Sequence, residues 1–280
     1  NAGSGWWNSV ASSSDGSKLV AAADYIYTST NYGVTWVQQT NAGSRGWFCV
    51  ASSSDGSKLV AAGDYIYTSS NYGVTWTQQT NAGGLVASSS DGSKLVAAAD
   101  YIYTSSNYGM TWVQQTNAGS GWWNSVASSS DGSKLVAGTY GDYIYTSSNY
   151  GVTWVQQTNA GSRNWSSVAS SSDGSKLVAV AGVDYIYTST NCGVTWMQQT
   201  SAGSQYWSSV ASNSDGSKVL AAAVPMGEPA VGGGLYTLPN YITQWSTVYV
   251  SGDAYANIEL VYAGGGLWVP CSYSGSFTIQ

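Results

Sequence analysis

Carboxylates are the side chains of this 280-residue chain that are best suited to catalysis. A glycosidase, for example, needs two carboxylates that flank one bond and lie in unlike environments. The chain has 14 acidic residues, and nearly all of its aspartates repeat in two phrases, Ser-Asp-Gly-Ser and Asp-Tyr-Ile-Tyr. Equivalent carboxylates offer like environments, and only Asp253, Glu228 and Glu259 are irregular. A pair among these three has no further support, and we predict that the chain is not an enzyme.

Other catalytic and metal-binding side chains are scarce. The chain has no histidine, and its three cysteines, Cys49, Cys192 and Cys271, form no Cys-x-x-Cys pair. A zinc site and a Cys/His nucleophile are therefore excluded, and no calcium-loop spacing is present. We predict no metal and no cofactor. We expect incidental, partly buried thiols, with a disulfide as the alternative.

The composition restricts the class of partner. The net charge is −6, and Lys and Arg together number only eight. A nucleic acid is not expected as a partner, because neutralising phosphates requires a basic stripe. No apolar run approaches the ~20 residues that span a bilayer, so membrane insertion is not expected. The acidic, Ser/Asn-rich composition favours a secreted or extracellular protein, and one glycosylation sequon occurs at Asn164-Trp165-Ser166.

Internal repeats of about 40 residues organise the chain. The phrase Ser-Asp-Gly-Ser-Lys recurs six times, with its aspartate at Asp15, Asp55, Asp91, Asp131, Asp173 and Asp215. Tyr-Ile-Tyr-Thr-Ser and then Asn-x-Gly-x-Thr-Trp follow it in five of the repeats. The lysines of the first phrase are expected to pair locally with its aspartates.

Each repeat reads as four short strands, here called a, b, c and d. In the first repeat they are predicted at residues 7–12, 18–22, 25–29 and 34–38, since these segments are rich in Val, Ile, Tyr, Thr and Trp and end at Gly, Asn or Asp turns. A four-stranded unit of this size can bury both faces only against its neighbours in a ring. The predicted fold is therefore all-β, a single β-propeller domain over residues 1–280.

The number of blades depends on the C-terminal segment. Trp245, Val248 and Asp253 keep the frame of Trp7, Val10 and Asp15, which predicts a seventh four-stranded blade. The predicted blades are then approximately 1–40, 41–80, 81–116, 117–158, 159–200, 201–244 and 245–280. The alternative makes Trp245 the equivalent of Trp36 and gives six blades plus a C-terminal β extension.

The turn between strands c and d carries a family resemblance. Residues 29–36, Ser-Thr-Asn-Tyr-Gly-Val-Thr-Trp, resemble the Asp-box, or BNR repeat, of sialidase-type propellers, with Asn31 at the Asp position. The pattern recurs at 69–76, 105–112, 147–154 and 189–196. The resemblance implies a structural clasp on the hairpin, with Trp36 packed between blades. Sialidases use three arginines and a Tyr–Glu pair, whereas this chain has only Arg45 and Arg163, which implies a non-catalytic member.

Chain direction alternates along a blade, so its loops separate onto two rims. The a–b turn barely changes between repeats, whereas the d–a and b–c connections vary, and both variable sets fall on one rim. We predict that this rim binds a ligand. The candidate residues are Trp6, Arg45, Trp122, Arg163, Tyr206, Asp24, Asp64, Asp142 and Asp184.

Aromatic rings beside amides and carboxylates suit a carbohydrate, because rings stack on sugar faces and polar groups take the hydroxyls. The predicted function is thus lectin-like binding of a glycan or glycoprotein. The alternative is a protein-interaction scaffold, which an apolar patch at residues 224–231 would favour. In a purely structural interpretation, Trp6 and Trp122 only cover the edge of the next blade.

Overall fold

The computed structural model describes residues 6–79, 83–224, 234–238, 246–248, 250–252, 257–262, 268–274 and 277–279. These residues form six four-stranded antiparallel sheets, in each of which the strands lie in chain order. The only helical elements among them are four single 3₁₀ turns. The predicted all-β fold of four-stranded units is therefore confirmed. Within the same residues, no helix has the length and apolarity needed to cross a bilayer.

The strands are short and recur at nearly constant spacing. The first sheet contains β1 (Ser9–Ser12), β2 (Leu19–Ala22), β3 (Ile26–Ser29) and β4 (Val37–Gln39). The second contains β5 (Cys49–Ser52), β6 (Leu59–Ala62), β7 (Ile66–Ser69) and β8 (Thr77–Gln78), and the third β9 (Leu85–Ser88), β10 (Leu95–Ala98), β11 (Ile102–Ser105) and β12 (Val113–Gln115). The fourth contains β13 (Trp123–Ser128), β14 (Leu135–Thr139), β15 (Ile144–Ser147) and β16 (Val155–Gln157), and the fifth β17 (Trp165–Ser170), β18 (Leu177–Ala181), β19 (Ile186–Ser189) and β20 (Met197–Gln199).

The 3₁₀ turns follow strand d at Thr40–Ala42, Thr116–Ala118, Thr158–Ala160 and Thr200–Ala202.

Strand d begins later than predicted. In the first sheet it starts at Val37 instead of residue 34. The reason is the clasp in the c–d turn, where Asn31 Oδ1 accepts the Thr35 amide at 2.9 Å and Asn31 Nδ2 donates to Thr35 Oγ1 at 2.8 Å. These bonds keep the chain in the turn, so it cannot join the ladder until after Trp36. Asn31 thus plays the clasping role that the sequence resemblance implied.

The C-terminal strands correct another prediction. The sixth sheet contains β21 (Tyr206–Ser212), β22 (Val219–Val224), β23 (Gly234–Leu238) and β24 (Ser246–Val248), and β24 pairs with β23 as the outer strand. The segment after Trp245 therefore takes the place that Val37–Gln39 takes after Trp36 and is not the first strand of a seventh sheet. The frame of Trp245, Val248 and Asp253 was misleading because a Trp precedes strand d as well as strand a.

Four more strands follow, namely β25 (Val250–Gly252), β26 (Asn257–Tyr262), β27 (Trp268–Ser274) and β28 (Phe277–Ile279). They form two separate two-stranded sheets, one of β25 with β28 and one of β26 with β27, which together make a partial seventh unit. Most of the insertion at 224–231 lies outside the described residues. Among those residues Cys49 and Cys192 are both unpaired thiols, as expected.

The hydrophobic core consists of separate layers between successive sheets. In the first layer, Val20 and Ile26 of the first sheet pack against Trp47 and Val50 of the second, and all four are buried. Equivalent positions build the layers between each later pair of sheets, except that the third sheet has Gly83 at the position of Trp47. The first strands of successive sheets also pack side by side. Each sheet is therefore stabilised by its neighbours, as expected for repeats that cannot bury both faces alone.

A hydrogen-bonded seam links the a–b turns from sheet to sheet. The amide of Ser14 donates to the carbonyl of Ser54 at 2.8 Å, and Ser54 donates to Ser90 at 2.7 Å. Equivalent bonds of 2.7 Å join Ser90 to Ser130, Ser130 to Ser172 and Ser172 to Ser214. The glycine of each turn has a positive φ, and from the second sheet to the sixth it lies on the lysine of the preceding sheet. A Cβ on Gly132, for example, would stand 2.5 Å from Lys94 Cβ.

Within their own turns, Lys18 and Lys58 donate to Ser17 Oγ at 3.3 Å and to Ser57 Oγ at 3.5 Å and not to the aspartate, which corrects the expected Lys–Asp pairing. The lysines also contact the next sheet across the seam. Lys18 Nζ lies 5.4 Å from the centroid of the Tyr72 ring in the next sheet. Tyr72 adopts a left-handed φ of 60°, which is costly for a residue with a Cβ. In the fifth sheet Cys192 replaces this tyrosine, and there Lys134 Nζ donates instead to the Asp173 carbonyl at 2.7 Å.

The first sheet differs from the others on the face that would receive a preceding sheet. Val10 is 58% exposed, whereas its equivalent Val50 is 5% exposed. Trp7 is 37% exposed, whereas Trp47 is fully buried. A Cβ added to Gly16 would meet nothing within 4 Å. This face therefore supplies an internal control for the contribution of the seam.

We expect Gly132→Ala to destabilise the protein more than Gly16→Ala. Both substitutions carry the cost of a positive φ, about 1–2 kcal/mol. Only Gly132→Ala also pushes against Lys94, and overpacking of this kind costs roughly 1–3 kcal/mol more. Chemical denaturation of both variants measures the difference. Equal free energies of unfolding would show that the seam is not tightly packed.

The aspartates of the a–b turns are held as carboxylates by their own turns. Asp55 accepts Ser53 Oγ at 2.6 Å, the Ser57 amide at 3.0 Å and Ser57 Oγ at 2.7 Å. These hydrogen bonds, led by that of Ser53, lower the pKa of Asp55 to about 2. A lowered folded-state pKa stabilises the fold above the unfolded-state pKa, and this contribution is lost as the pH falls toward 2.

Asp55→Asn should therefore lower the Tm at neutral pH and have progressively less effect below pH 4. Near pH 2 about half of the parent carboxyl groups are protonated, so the difference in Tm should be clearly smaller there than at pH 7. Thermal unfolding followed from pH 7 to pH 2 tests this. A difference in Tm that stays constant over the whole range would contradict the proposed role of the carboxylate.

Candidate functional site

The d–a and b–c connections meet on one rim, as predicted. The amide of Arg45, in the connection to the second sheet, donates to the carbonyl of Asp24 in the first sheet at 2.9 Å. Arg163 donates in the same way to Asp142 at 2.9 Å, and Gln205 to Asp184 at 3.0 Å. The backbone of the b–c aspartate thus holds the next d–a connection in place at Asp24, Asp142 and Asp184. We call this the variable rim.

Two adjacent positions in this connection have opposite environments. The second position is a buried tryptophan in most sheets, and its ring meets a strand-c tyrosine edge-on, as in Trp47 with Tyr67 at 5.1 Å. The preceding position points to solvent, where Trp6 is 91% exposed and Trp122 is 75% exposed. The buried set stabilises the sheets, whereas the exposed set has no comparable structural role.

Trp122 and Tyr140 form an exposed aromatic pair on the fourth sheet. Their ring centroids are 6.0 Å apart with an interplanar angle of 36°, and Tyr140 is 53% exposed. The Tyr140 amide donates to the Trp122 carbonyl at 2.8 Å, which fixes one residue relative to the other. Tyr140 lies in a b–c loop that is longer than that of the first sheet. The sequence prediction did not include it, although this extra length was a visible signal.

Arg163 and Asp184, both predicted as ligand contacts, bind each other. Arg163 Nε lies 2.6 Å from Asp184 Oδ2 and 2.9 Å from the Tyr187 hydroxyl. Arg163 Nη1 also donates to the Ala160 carbonyl at 2.6 Å, and the guanidinium lies 4.5 Å from the Tyr187 ring centroid. This is the one ion pair within the described part of the chain. The two side chains therefore bind each other, and neither presents the free charge that was expected to contact a ligand.

The remaining predicted charges do not converge on a common point. Asp24 and Asp64 are exposed in their loops. Asp142 Oδ2 accepts the Tyr145 hydroxyl at 3.1 Å, and burial, followed by the charge of Asp142, raises the pKa of Tyr145 to about 12. Arg45 stacks over Tyr67 and donates to the Ala42 carbonyl. No three potential metal ligands cluster within the described residues.

Clefts between neighbouring sheets open near the a–b turns, away from the variable rim. One of about 490 Å³ separates the second and third sheets and includes Lys58, Thr77 and Tyr108 in its lining. Another of about 230 Å³ separates the third and fourth sheets and includes Lys94 and Val113, which are the equivalent residues, in its lining. No acidic residue among those described lines either cleft. Because the lining positions repeat, the clefts follow from the packing of the sheets.

Solved structures with the same architecture identify the fold. The chain is similar to the GH74 enzyme of Niastella koreensis, with a TM-score of 0.63 and 19% identity over 85% of this chain and 37% of that one. It is also similar to the GH74 xyloglucanase of Xanthomonas campestris, with a TM-score of 0.71 and 15% identity over 88% of this chain and 46% of the other. These structures are β-propellers. The fold is a β-propeller.

A third similar structure is the YCF48 protein bound to D1 peptide, with a TM-score of 0.64 and 15% identity over 92% of this chain and 87% of that one. No family model and no curated protein matches the chain. The propeller spans less than half the length of the two GH74 structures. At these identities the likeness shows the fold alone, and its members include both enzymes and a peptide-binding protein.

Proposed function

We propose that this propeller is a non-catalytic binding module that takes carbohydrate on its variable rim. The observation that carries the proposal is the aromatic pair of Trp122 and Tyr140, which is exposed yet held in place by a backbone hydrogen bond. Large side chains fixed in solvent lose little conformational entropy when a ligand covers them. The C–H faces of a sugar ring suit such a surface, since stacking removes apolar area from water.

The polar groups around the pair fit the same proposal. Asn164 is exposed on the next sheet, and Tyr206 is 45% exposed on the one after it. Amide and hydroxyl groups both donate and accept hydrogen bonds, which matches the hydroxyls of a sugar. The carboxylates nearby are engaged with Arg163 and Tyr145, which supports binding over hydrolysis.

A seven-bladed closed ring is part of this proposal. The strands β25 to β28 would complete a seventh blade that covers Trp7 and Val10, the exposed face of the first sheet. The resemblance of the c–d turns to the Asp-box would then extend around the ring as a structural device. Exposure of the rim to extracellular glycans would require a secreted protein, which the acidic composition favours.

A protein partner is the second candidate. Trp6 is 91% exposed and Phe48 is 51% exposed, both in d–a connections of the first two sheets. Exposed aromatics of this kind are enriched where proteins bind one another. The YCF48 structure, which is bound to a peptide, belongs to the same fold.

Carbohydrate binding predicts that Trp122→Ala and Tyr140→Ala each weaken affinity for the best glycan on an array by about tenfold, which equals ~1.4 kcal/mol. Isothermal titration measures the affinities. Tyr32→Ala is the matched control, because Tyr32 is a 70% exposed aromatic in a c–d turn. Glycan affinity that is unchanged in both rim variants would rule out this site.

The protein-partner candidate is tested in parallel with a pull-down from the native source. Loss of a captured protein in Trp6→Ala and Phe48→Ala, together with no glycan bound on the array, would favour the scaffold. Capture that is equal in the parent and both variants would exclude these two residues from the interface.

A further inference from the structure

Asn164 lies between the two exposed aromatic groups of the variable rim. The amide of Gly182 donates to the Asn164 carbonyl at 3.1 Å, and the Tyr206 ring would be 3.8 Å from a Cβ on Gly182. On the other side, Asn164 Oδ1 would be 3.9 Å from a Cβ on Gly141, the residue after Tyr140. Glycine at 141 and 182 therefore brings the two loops close to the asparagine.

The side-chain amide of Asn164 is free to bind. It is exposed and makes no hydrogen bond within the described part of the chain, whereas Asn8 and Asn124 in the neighbouring strands bond across to the next sheet. Asn164 occupies the same repeat position as Trp122 and Tyr206. Three consecutive sheets thus present an aromatic, an amide and an aromatic side chain in order along the rim.

We propose that Trp122, Tyr140, Asn164 and Tyr206 form one extended site for a linear, electrically neutral oligosaccharide. This inference rests on the proposed function and specifies its ligand class. The aromatic residues would stack on separate sugar units, and Asn164 would hydrogen-bond the hydroxyls of a unit between them. A single sugar cannot reach from the fourth sheet to the sixth, so the ligand must be a chain of several units.

The charges at the site exclude an acidic sugar. Arg163 is the cation nearest to Asn164 in sequence, and its guanidinium already binds Asp184, Tyr187 and the Ala160 carbonyl. An anionic ligand would have to displace Asp184 from a contact of 2.6 Å. The described lysines follow the a–b turns, away from the variable rim. A neutral ligand requires no rearrangement of these pairs.

The test uses the whole chain made in a bacterial host, so that Asn164 carries no glycan. Isothermal titration compares neutral gluco-, manno- and chito-oligosaccharides of one to six units with sialylated, sulfated and uronic acid oligosaccharides. We expect a neutral series to bind, with an affinity that rises with length. We expect Tyr206→Ala to weaken the longest ligand about tenfold and to leave the shortest bound ligand unchanged.

Asn164→Ala should also weaken the longest ligand, with Asn117→Ala as the control, since Asn117 is an exposed asparagine of another d–a connection. Circular dichroism and thermal unfolding confirm that the variants fold. Preference for acidic glycans, or equal sensitivity of all lengths to Tyr206→Ala, would overturn this inference and leave the proposed function intact. Binding to no glycan at all would overturn both.

Discussion

Each a–b turn donates a backbone hydrogen bond to the equivalent turn of the next sheet, and this seam sets the register of the whole array. The glycine beside it must lack a Cβ because the preceding lysine lies against it, and a Cβ on Gly132 would stand only 2.5 Å from Lys94 Cβ. The apolar layers between the sheets supply most of the burial, but apolar contact has no direction. The hydrogen bonds of the seam are directional, so successive sheets repeat the same geometry and the same packing.

Residue types are constrained at the a–b turns, whereas they can vary in the d–a connections of the variable rim. The residues of the a–b turn are fixed by contacts within their own turn and across the seam, which explains why Ser-Asp-Gly-Ser-Lys changes so little between repeats. The outward position of the d–a connection is held through backbone atoms, as when the Tyr140 amide donates to the Trp122 carbonyl and the Gly182 amide to the Asn164 carbonyl. A backbone bond accepts almost any side chain, so this position can be Trp, Asn or Tyr without loss of the fold.

Because side chains can vary at the outward position of the d–a connection, this position can hold the aromatic and amide residues of the proposed site. A connection residue either points inward, as Trp165 does, or outward, as Asn164 does, because side chains alternate along a strand. A residue at the outward position can contact a ligand, and replacing it has little effect on the stability of the core. Beside Asn164 the charges are paired, as Arg163 is with Asp184, whereas Asp24 and Asp64 lie on other sheets. The surface that remains for a ligand combines aromatic rings and neutral polar groups.

The sequence alone determined the strands, the turns, the repeat length and the separation of loops onto two rims. These depend on local propensity and on alternating chain direction, which any single repeat displays. Tertiary structure alone decided that Ser246–Val248 completes the sixth sheet, that Arg163 and Asp184 pair, and that Trp122 meets Tyr140. Each of these joins residues nine or more positions apart through a particular register or side-chain direction, and residue type and spacing do not encode such pairing.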